Sequence, residues 1–254
     1  MDAPEEQPLT GGNVAAGVVR VGDTVRKPAG PWRPAVEALL DHLSSRGFTA
    51  APRSLGLDDR GRQVLEFVPG RLAHGMPDLD LASLGKVGRI IRELHDAASD
   101  FEPPPDAQWQ VVIPPDRVEL ICHHDLAPWN LIIGDDRWCF IDWDGAGPGS
   151  RLWDLAYAIK GFVPLEAGRN PVEDASRVRA LADGYNLTAQ QRLELPPLMV
   201  AHTRGMYDLL RHSAHTGAQP WARLYAEGHG DYWGAATDYI EANLSLWAGA
   251  LSDD

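Results

Sequence analysis

The hydrophobic pattern of the chain changes character near Gly70. Before it, apolar residues come in short runs of β type. Val18, Val19 and Val21 carry strand propensity, Gly22-Asp23 marks a tight turn, and a third run ends before Pro28, so Leu9 to Lys27 predicts short strands. Trp32, Val36, Leu39, Leu40 and Leu43 then recur at helical spacing, with Pro34 suited to the first turn and Gly47 to the stop. Pro52 to Gly70 predicts a hairpin turning at Asp59–Gly61, its second strand closed by Pro69-Gly70. Three strands, a helix and two strands make a small β-rich lobe over residues 1–70.

Beyond Gly70 the period becomes helical. Leu84, Val87, Ile91 and Leu94 form one apolar stripe, with Asp78 or Asp80 available as its cap. A Pro-rich loop follows Phe101. Leu131–Ile133 and Trp138–Ile141 predict two short strands around the turn Gly134-Asp135-Asp136. From Asp174 onward helix follows helix: Val178 to Tyr185, Leu193 to His212 with an interruption at Pro196-Pro197, and Asp231 to Leu251. In the last, Trp233, Ile240, Leu244 and Trp247 share a face. Residues 71–254 thus predict a larger, mostly helical lobe.

Composition narrows the class. A hydrophobic content of 44% marks a folded protein, and no run approaches the roughly 18 apolar residues of a membrane span. The acidic start M-D-A-P-E-E-Q-P has no apolar stretch of the secretory kind. Cys122 and Cys139, each inside an apolar run, predict buried free thiols and a reducing, cytoplasmic setting. A net charge of −13 argues against nucleic acid and is compatible with a cationic small substrate. Neither a nucleic-acid nor a membrane partner is expected.

Ile121 to Ala156 carries the chemistry. Asp125 is followed five positions on by Asn130, and Asp142 stands at the end of an apolar strand. Apolar strands on either side put these groups at strand ends, close in space. An ionised carboxylate at Asp125 would orient and deprotonate a hydroxyl nucleophile. Asn130 offers a neutral oxygen and Asp142 charged oxygens to Mg²⁺ against the phosphates of a nucleotide. Taken singly, each could be an ordinary loop cap or turn former. The trio reads as a phosphoryl-transfer site.

The stretch resembles the aminoglycoside phosphotransferase family, within the protein-kinase-like fold. H-H-D-L-A-P-W-N is similar to that family's H-G-D-x-x-x-x-N loop, F-I-D-W-D-G-A-G-P-G to its I-D-[WF]-x-x-A-x-x-G segment, and R-L-W-D-L-A to the D-L-A that follows. The resemblance implies an α+β, two-lobed kinase-like fold and an ATP- or GTP-dependent, Mg²⁺-dependent phosphotransferase acting on an alcohol. It implies Asp125 as catalytic base, Asn130 and Asp142 as metal ligands, Asp154 as a structural carboxylate, and His123 as a hydrogen-bonding support for the loop. His124 departs from the family's glycine and puts a bulky, titratable group on the acceptor side.

Val64–Gly70 is similar to the family's hinge strand, which implies that backbone at Glu66, Phe67 and Val68 binds adenine. The glycines Gly11, Gly12 and Gly17 would let backbone approach phosphate, though a plain hairpin accounts for them as well. Strand alternation puts either Arg26 or Lys27 into the cleft as the phosphate-contacting cation. Glu37 either braces that cation or lies on a solvated helix face. For the acceptor, Asp144, Tyr207, Arg211, Asp231 and Trp233 are candidates. Acidic groups suit the ammonium groups of an aminoglycoside, the leading substrate class by resemblance. A kinase of choline, homoserine, a macrolide or a sugar is the alternative, and a nucleotide-binding regulator without catalysis the rival.

Overall fold

The computed structural model describes residues 5–9 and 17–252. Gly11, Gly12 and Asn13 of the glycine-rich stretch lie outside the described residues. The chain forms two compact units. One comprises Met1–Met76, Glu93–Val111 and Leu120–Pro148, the other Pro77–Arg92, Val112–Glu119 and Gly149–Asp254. The stretch from Asp125 to Asp144 therefore groups with the N-terminal strands.

The first unit is built on an antiparallel sheet. Strands β1 (Gln7–Pro8), β2 (Val19–Val21), β3 (Thr24–Lys27), β4 (Ser54–Leu57) and β5 (Gln63–Glu66) lie in the order β1-β2-β3-β5-β4. Gly22 takes a φ of 58°, which lets the two-residue turn after Val21 bring Val21 opposite Thr24. Between β4 and β5 the Asp58 carboxylate closes the turn by accepting the N–H groups of Arg60 and Arg62. Between β3 and β4, helix α1 (Arg33–Ser45) buries Ala35, Val36, Leu39, Leu40 and Leu43, and ends where Gly47 turns left-handed at φ 78°. A second, three-stranded sheet joins β6 (Arg71–Leu72), β8 (Leu131–Ile133) and β9 (Trp138–Phe140). Its β6 edge lies so close that a Cβ on Gly70 would stand 2.6 Å from Ile132 and 2.7 Å from the Ile133 carbonyl. Between β6 and β8 in sequence come α2 (Leu81–Ala97), with its N–H at Ser83 donated to Asp80, and β7 (Leu120–Cys122). A short β10 (Gly147–Gly149) pairs with β7.

The second unit is helical: α3 (Arg151–Phe162), α4 (Pro171–Tyr185), α5 (Ala189–Thr216), α6 (Trp221–Leu224), α7 (Gly230–Ala242) and α8 (Leu244–Leu251). Two expectations are corrected here. Helix α5 runs through Pro196-Pro197 without a break, opened by a reciprocal Thr188–Gln191 capping box and holding Leu195, Pro196, Met199 and His202 in the core. That burial offsets the hydrogen bonds the two prolines cannot donate. The predicted final helix is two helices, because Asn243 leaves helical geometry at φ −108°, ψ 17°. Trp247 still reaches back, its indole N–H donating to the Ile240 carbonyl at 2.9 Å, so Trp233, Ile240 and Trp247 are all core residues. Among the described residues no helix is long and apolar enough to cross a membrane.

Candidate active site

The loop between β7 and β8 is held by its first histidine. His123 is fully buried. Its Nδ1 accepts the Asp125 N–H at 3.2 Å, so the proton resides on Nε2, which donates to the Ile141 carbonyl at 3.2 Å. The ring also packs against Trp143, with centroids 4.5 Å apart. One side chain thus couples the backbone beneath Asp125 to the backbone that precedes Asp142.

Asn130 completes the loop. Its Nδ2 donates to Asp125 Oδ2 at 2.7 Å and to the Asp125 carbonyl at 3.0 Å. Its own carbonyl accepts the Ile141 N–H at 2.8 Å. Its side-chain Oδ1 takes no hydrogen bond among the described residues, leaving this neutral oxygen available as a donor atom. The second oxygen of Asp125 accepts the Trp129 indole N–H at 3.3 Å. Sequence reasoning had not singled out Trp129; its position directly before the Asn, with a donor-only N–H, was the available signal.

His124 occupies the left-handed region at φ 64°, where a glycine is unstrained and another residue gives up about 1 kcal/mol. Its Nε2 donates toward the carbonyls of Gly147 and Pro148, at 3.2 and 3.1 Å. The ring is thereby turned onto the backbone at β10.

Asp142 is the other left-handed residue of the site (φ 60°, ψ 68°), and it opens a single 3-10 turn over Trp143–Gly145. The turn is anchored by the buried Trp143, whose indole N–H donates to the Phe140 carbonyl at 2.9 Å. It brings Asp142 and Asp144 onto one cation. Lys27 Nζ lies 2.6 Å from Asp144 Oδ1 and 3.4 Å from Asp142 Oδ1, with the lysine only 7% exposed. Arg26 points to the opposite face of β3 and pairs with Asp58 Oδ2 at 3.2 Å, beside Arg62 at 2.8 Å. Burial works to raise the Asp58 carboxyl, but hydrogen bonds from Arg62 and Arg26 hold it well below the usual carboxylate range. Glu37 pairs with Arg33 on its own helix, and its Oε1 is buried without a hydrogen-bond partner.

The chain itself uses two of the three amides expected at adenine. Glu66 N–H donates to Arg53 O at 3.0 Å and Phe67 N–H to Asp23 O at 2.9 Å. The Val68 N–H makes no hydrogen bond among the described residues. The Glu66 carboxylate is held by Arg137 at 2.9 Å and Arg53 at 3.5 Å. Burial would raise its pKa, and these two cations lower it. Asp154, buried in the first turn of α3, and Asp231, exposed in the first turn of α7, belong to the second unit, as do Tyr207, Arg211 and Trp233.

The first unit therefore gathers a hydrogen-bonded carboxylate, a neutral amide oxygen, two further carboxylates and a buried ammonium. The oxygen-only donor set of Asn130, Asp142 and Asp144 suits a hard divalent cation. Asp142 and Asp144 already converge on one positive charge, Lys27, which is the electrostatic condition such an ion needs. The fold is protein-kinase-like, mixed α and β, and its family match makes it that of a small-molecule kinase. A model of the phosphotransferase enzyme family matches residues 106–195. The chain is 34% identical over 198 residues to the trifolitoxin immunity protein of Rhizobium leguminosarum bv. trifolii, covering 72% of this chain and 75% of that protein. It belongs to that phosphotransferase family. Among solved structures it is similar to a choline/ethanolamine kinase family protein from Mesorhizobium loti (TM-score 0.65, 16% identity, 98% of this chain and 92% of that one). It is equally similar to an amicoumacin kinase in complex with AMP-PNP and Ca²⁺ (TM-score 0.65, 14% identity, 89% and 85%).

Proposed function

We propose that this protein transfers the γ-phosphoryl group of ATP or GTP, with Mg²⁺, to a hydroxyl of a small amine-bearing molecule of the aminoglycoside type. The observation that carries the reading is Asp125, whose carboxylate is fixed by Asn130 in a loop tied through His123 to Asp142. In the reaction, an Asp125 oxygen takes the proton of the acceptor hydroxyl. The acceptor oxygen bonds to the γ-phosphorus as the bond to the β-bridging oxygen breaks, and the nucleoside diphosphate leaves. Asn130 Oδ1, Asp142 and Asp144 are the residues that would hold the divalent ion, which when bound neutralises charge on the β- and γ-phosphates. Lys27, released from the carboxylates, supplies its ammonium to the same phosphates, and the Val68 N–H is the donor for adenine. Asp154, in the D-L-A segment, acts as a structural carboxylate.

An amine-bearing acceptor is supported by the net charge of −13. An antimicrobial compound is supported by a relative named for immunity to trifolitoxin and a neighbour named as a kinase of amicoumacin. ATP dependence fits a cytoplasmic enzyme.

The test is nucleoside diphosphate release from Mg·ATP and Mg·GTP against aminoglycosides, choline, homoserine, macrolides and simple sugars. Aminoglycosides are expected to stimulate it most, and Asp125→Asn to cut it by roughly 10²–10⁴-fold while nucleotide still binds. Undiminished turnover in that variant removes Asp125 from the role of base. No stimulation by any aminoglycoside removes the substrate class.

A further inference from the structure

Gln63 on β5 is 2% exposed, and its side-chain Nε2 is buried with no hydrogen-bond partner among the described residues. A buried amide donor left in that state costs free energy, so its presence in a core calls for a reason. The strand register shows what surrounds it. Gln63 stands directly opposite Lys27 on β3 and Leu57 on β4. Residues so paired point to one face of the sheet, with Cβ atoms about 5 Å apart. Val25 and Leu65, the next residues along on that face, are apolar like Leu57. Of these neighbours only Lys27 is polar.

Lys27 cannot satisfy the amide, because an ammonium carries donors and no acceptor. Its Nζ donates to Asp144 Oδ1 at 2.6 Å and to Asp142 Oδ1 at 3.4 Å. These carboxylates answer the lysine and leave the amide unanswered. Glu37 Oε1, a buried acceptor that also has no partner, does not take it up either. Two donors side by side on one face, one charged and one neutral, call for an anionic oxygen that accepts from both. A phosphate carries several such oxygens and can meet the ammonium and the amide together. Gln63 Nε2 is closed to solvent, so an oxygen gains both donors only when the ammonium leaves Asp142 and Asp144.

We infer that Gln63 is a nucleotide-binding residue, its Nε2 donating to a phosphate oxygen of the nucleotide beside the Lys27 ammonium. This rests on the phosphoryl-transfer reading above, in which Lys27 passes from the two carboxylates to the phosphates, and adds a neutral donor to that charge. The amide that is buried unpaired in the free protein is then paired in the nucleotide complex.

Two variants and two ligands test it. Gln63→Leu removes the amide and suits the apolar surroundings of Val25, Leu57 and Leu65; Gln63→Glu keeps the shape and puts an acceptor where the donor was. Each is compared with the natural protein in calorimetric titrations with Mg·AMP-PNP and with adenosine, which has no phosphate. The thermal midpoint without ligand controls for folding. Gln63→Leu is expected to weaken Mg·AMP-PNP about tenfold, as loss of a hydrogen bond to a charged group does, and to leave adenosine within about twofold. Its thermal midpoint should hold or rise, since no amide is then buried unpaired. Gln63→Glu is expected to weaken Mg·AMP-PNP further, because its carboxylate pairs with Lys27 and opposes the phosphates. Mg·AMP-PNP affinity in Gln63→Leu within about twofold of natural overturns the role of Gln63 and leaves the phosphoryl-transfer reading standing. An equal loss for adenosine and Mg·AMP-PNP also overturns it, since Gln63 would then only shape the base pocket. If Gln63→Leu does not fold, Gln63→Glu decides with the same ligands, and undiminished binding of Mg·AMP-PNP overturns the role. A natural protein that binds no Mg·AMP-PNP overturns the phosphoryl-transfer reading and the role of Gln63 with it.

Discussion

Two lysines are buried, one in each unit, and they are treated in opposite ways. Lys27 is 7% exposed and sits against two carboxylates. Lys160, on α3, is 4% exposed and pairs with no carboxylate among the described residues. Its ammonium donates to the Tyr232 hydroxyl at 2.8 Å and lies 4.7 Å from the Tyr232 ring centroid and 5.2 Å from that of Trp233. Burial pushes its pKa down to about 8, against the opposing influence of the Glu166 charge. A buried cation costs free energy unless its charge is answered. At Lys27 the answer is a pair of acids that a metal–phosphate complex could take over. At Lys160 it is a ring of aromatic and phenolic groups that has no such second partner. The same residue type at the same depth is therefore ion-paired in one unit and packed among aromatic rings in the other, and only the first arrangement fits the proposed transfer of the ammonium to phosphate.

The sharpest way to break this contrast is to remove each ammonium in turn. Lys27→Met should reduce turnover by about 10²–10³-fold, as loss of one preorganised group that meets developing charge does. Because Asp142 and Asp144 then have no competing cation, Mg²⁺ should bind the nucleotide-free variant more tightly than it binds the natural protein. Calorimetric titration with Mg²⁺ measures this directly. Turnover within a few-fold of normal would mean that the phosphate cation is a different residue.

The ease of reading this site from sequence differed with the physics involved. The order of Asp125, Asn130 and Asp142, and the strands that carry them, depend on local pattern and were legible. So were the apolar stripes of α1 and α2, whose members are buried as their spacing requires. What depends on partners distant in sequence was not. No local rule foretells that Arg53 and Asp23 accept the Glu66 and Phe67 N–H groups and leave Val68 as the open amide. Nor does propensity foresee α5 carrying Pro196-Pro197, since a buried face decides it. Lys160 lay unnoticed in an apolar helix because a single lysine there has the look of a snorkelling surface residue, and only the tertiary fold closes Tyr232 and Trp233 over it.

Lys160→Met tests the other half of the contrast, and its signature is in pH. Below about pH 8 the lysine is charged in both folded and unfolded chains, so the cost of its burial is present in full. Between about 8 and 10.5 the folded lysine loses its proton first, the unfolded chain binds more protons, and stability rises with pH. The Met variant lacks this dependence. It should be more stable than the natural protein at pH 7, by an amount bounded at about 3 kcal/mol from the depression of the pKa, and the advantage should shrink toward pH 10. Tyr232, whose pKa burial and Glu166 raise to about 12, stays protonated across that window. Denaturant midpoints at pH 7, 8.5 and 10 give the comparison. A variant less stable at pH 7 would show that the phenol and ring contacts outweigh the burial cost.

The smallest effect expected is the most discriminating for the first unit. Arg26 and Lys27 are neighbours on β3, and sequence pattern alone left both as phosphate cations. Alternation of faces separates them: Lys27 is turned to Asp142 and Asp144, Arg26 to Asp58 and the β4–β5 turn. Asp58 keeps its hydrogen bonds from Arg60 and Arg62 when Arg26 is removed, so the turn retains its closure. Arg26→Ala should therefore leave kcat and the KM for ATP within about twofold, the range of surface substitutions away from a site. Setting it beside Lys27→Met in one assay compares two cations one residue apart. If Arg26→Ala instead costs as much turnover as Lys27→Met, the face assigned to the phosphates is the wrong one, and Asp58 rather than Asp142 would be the carboxylate to examine next.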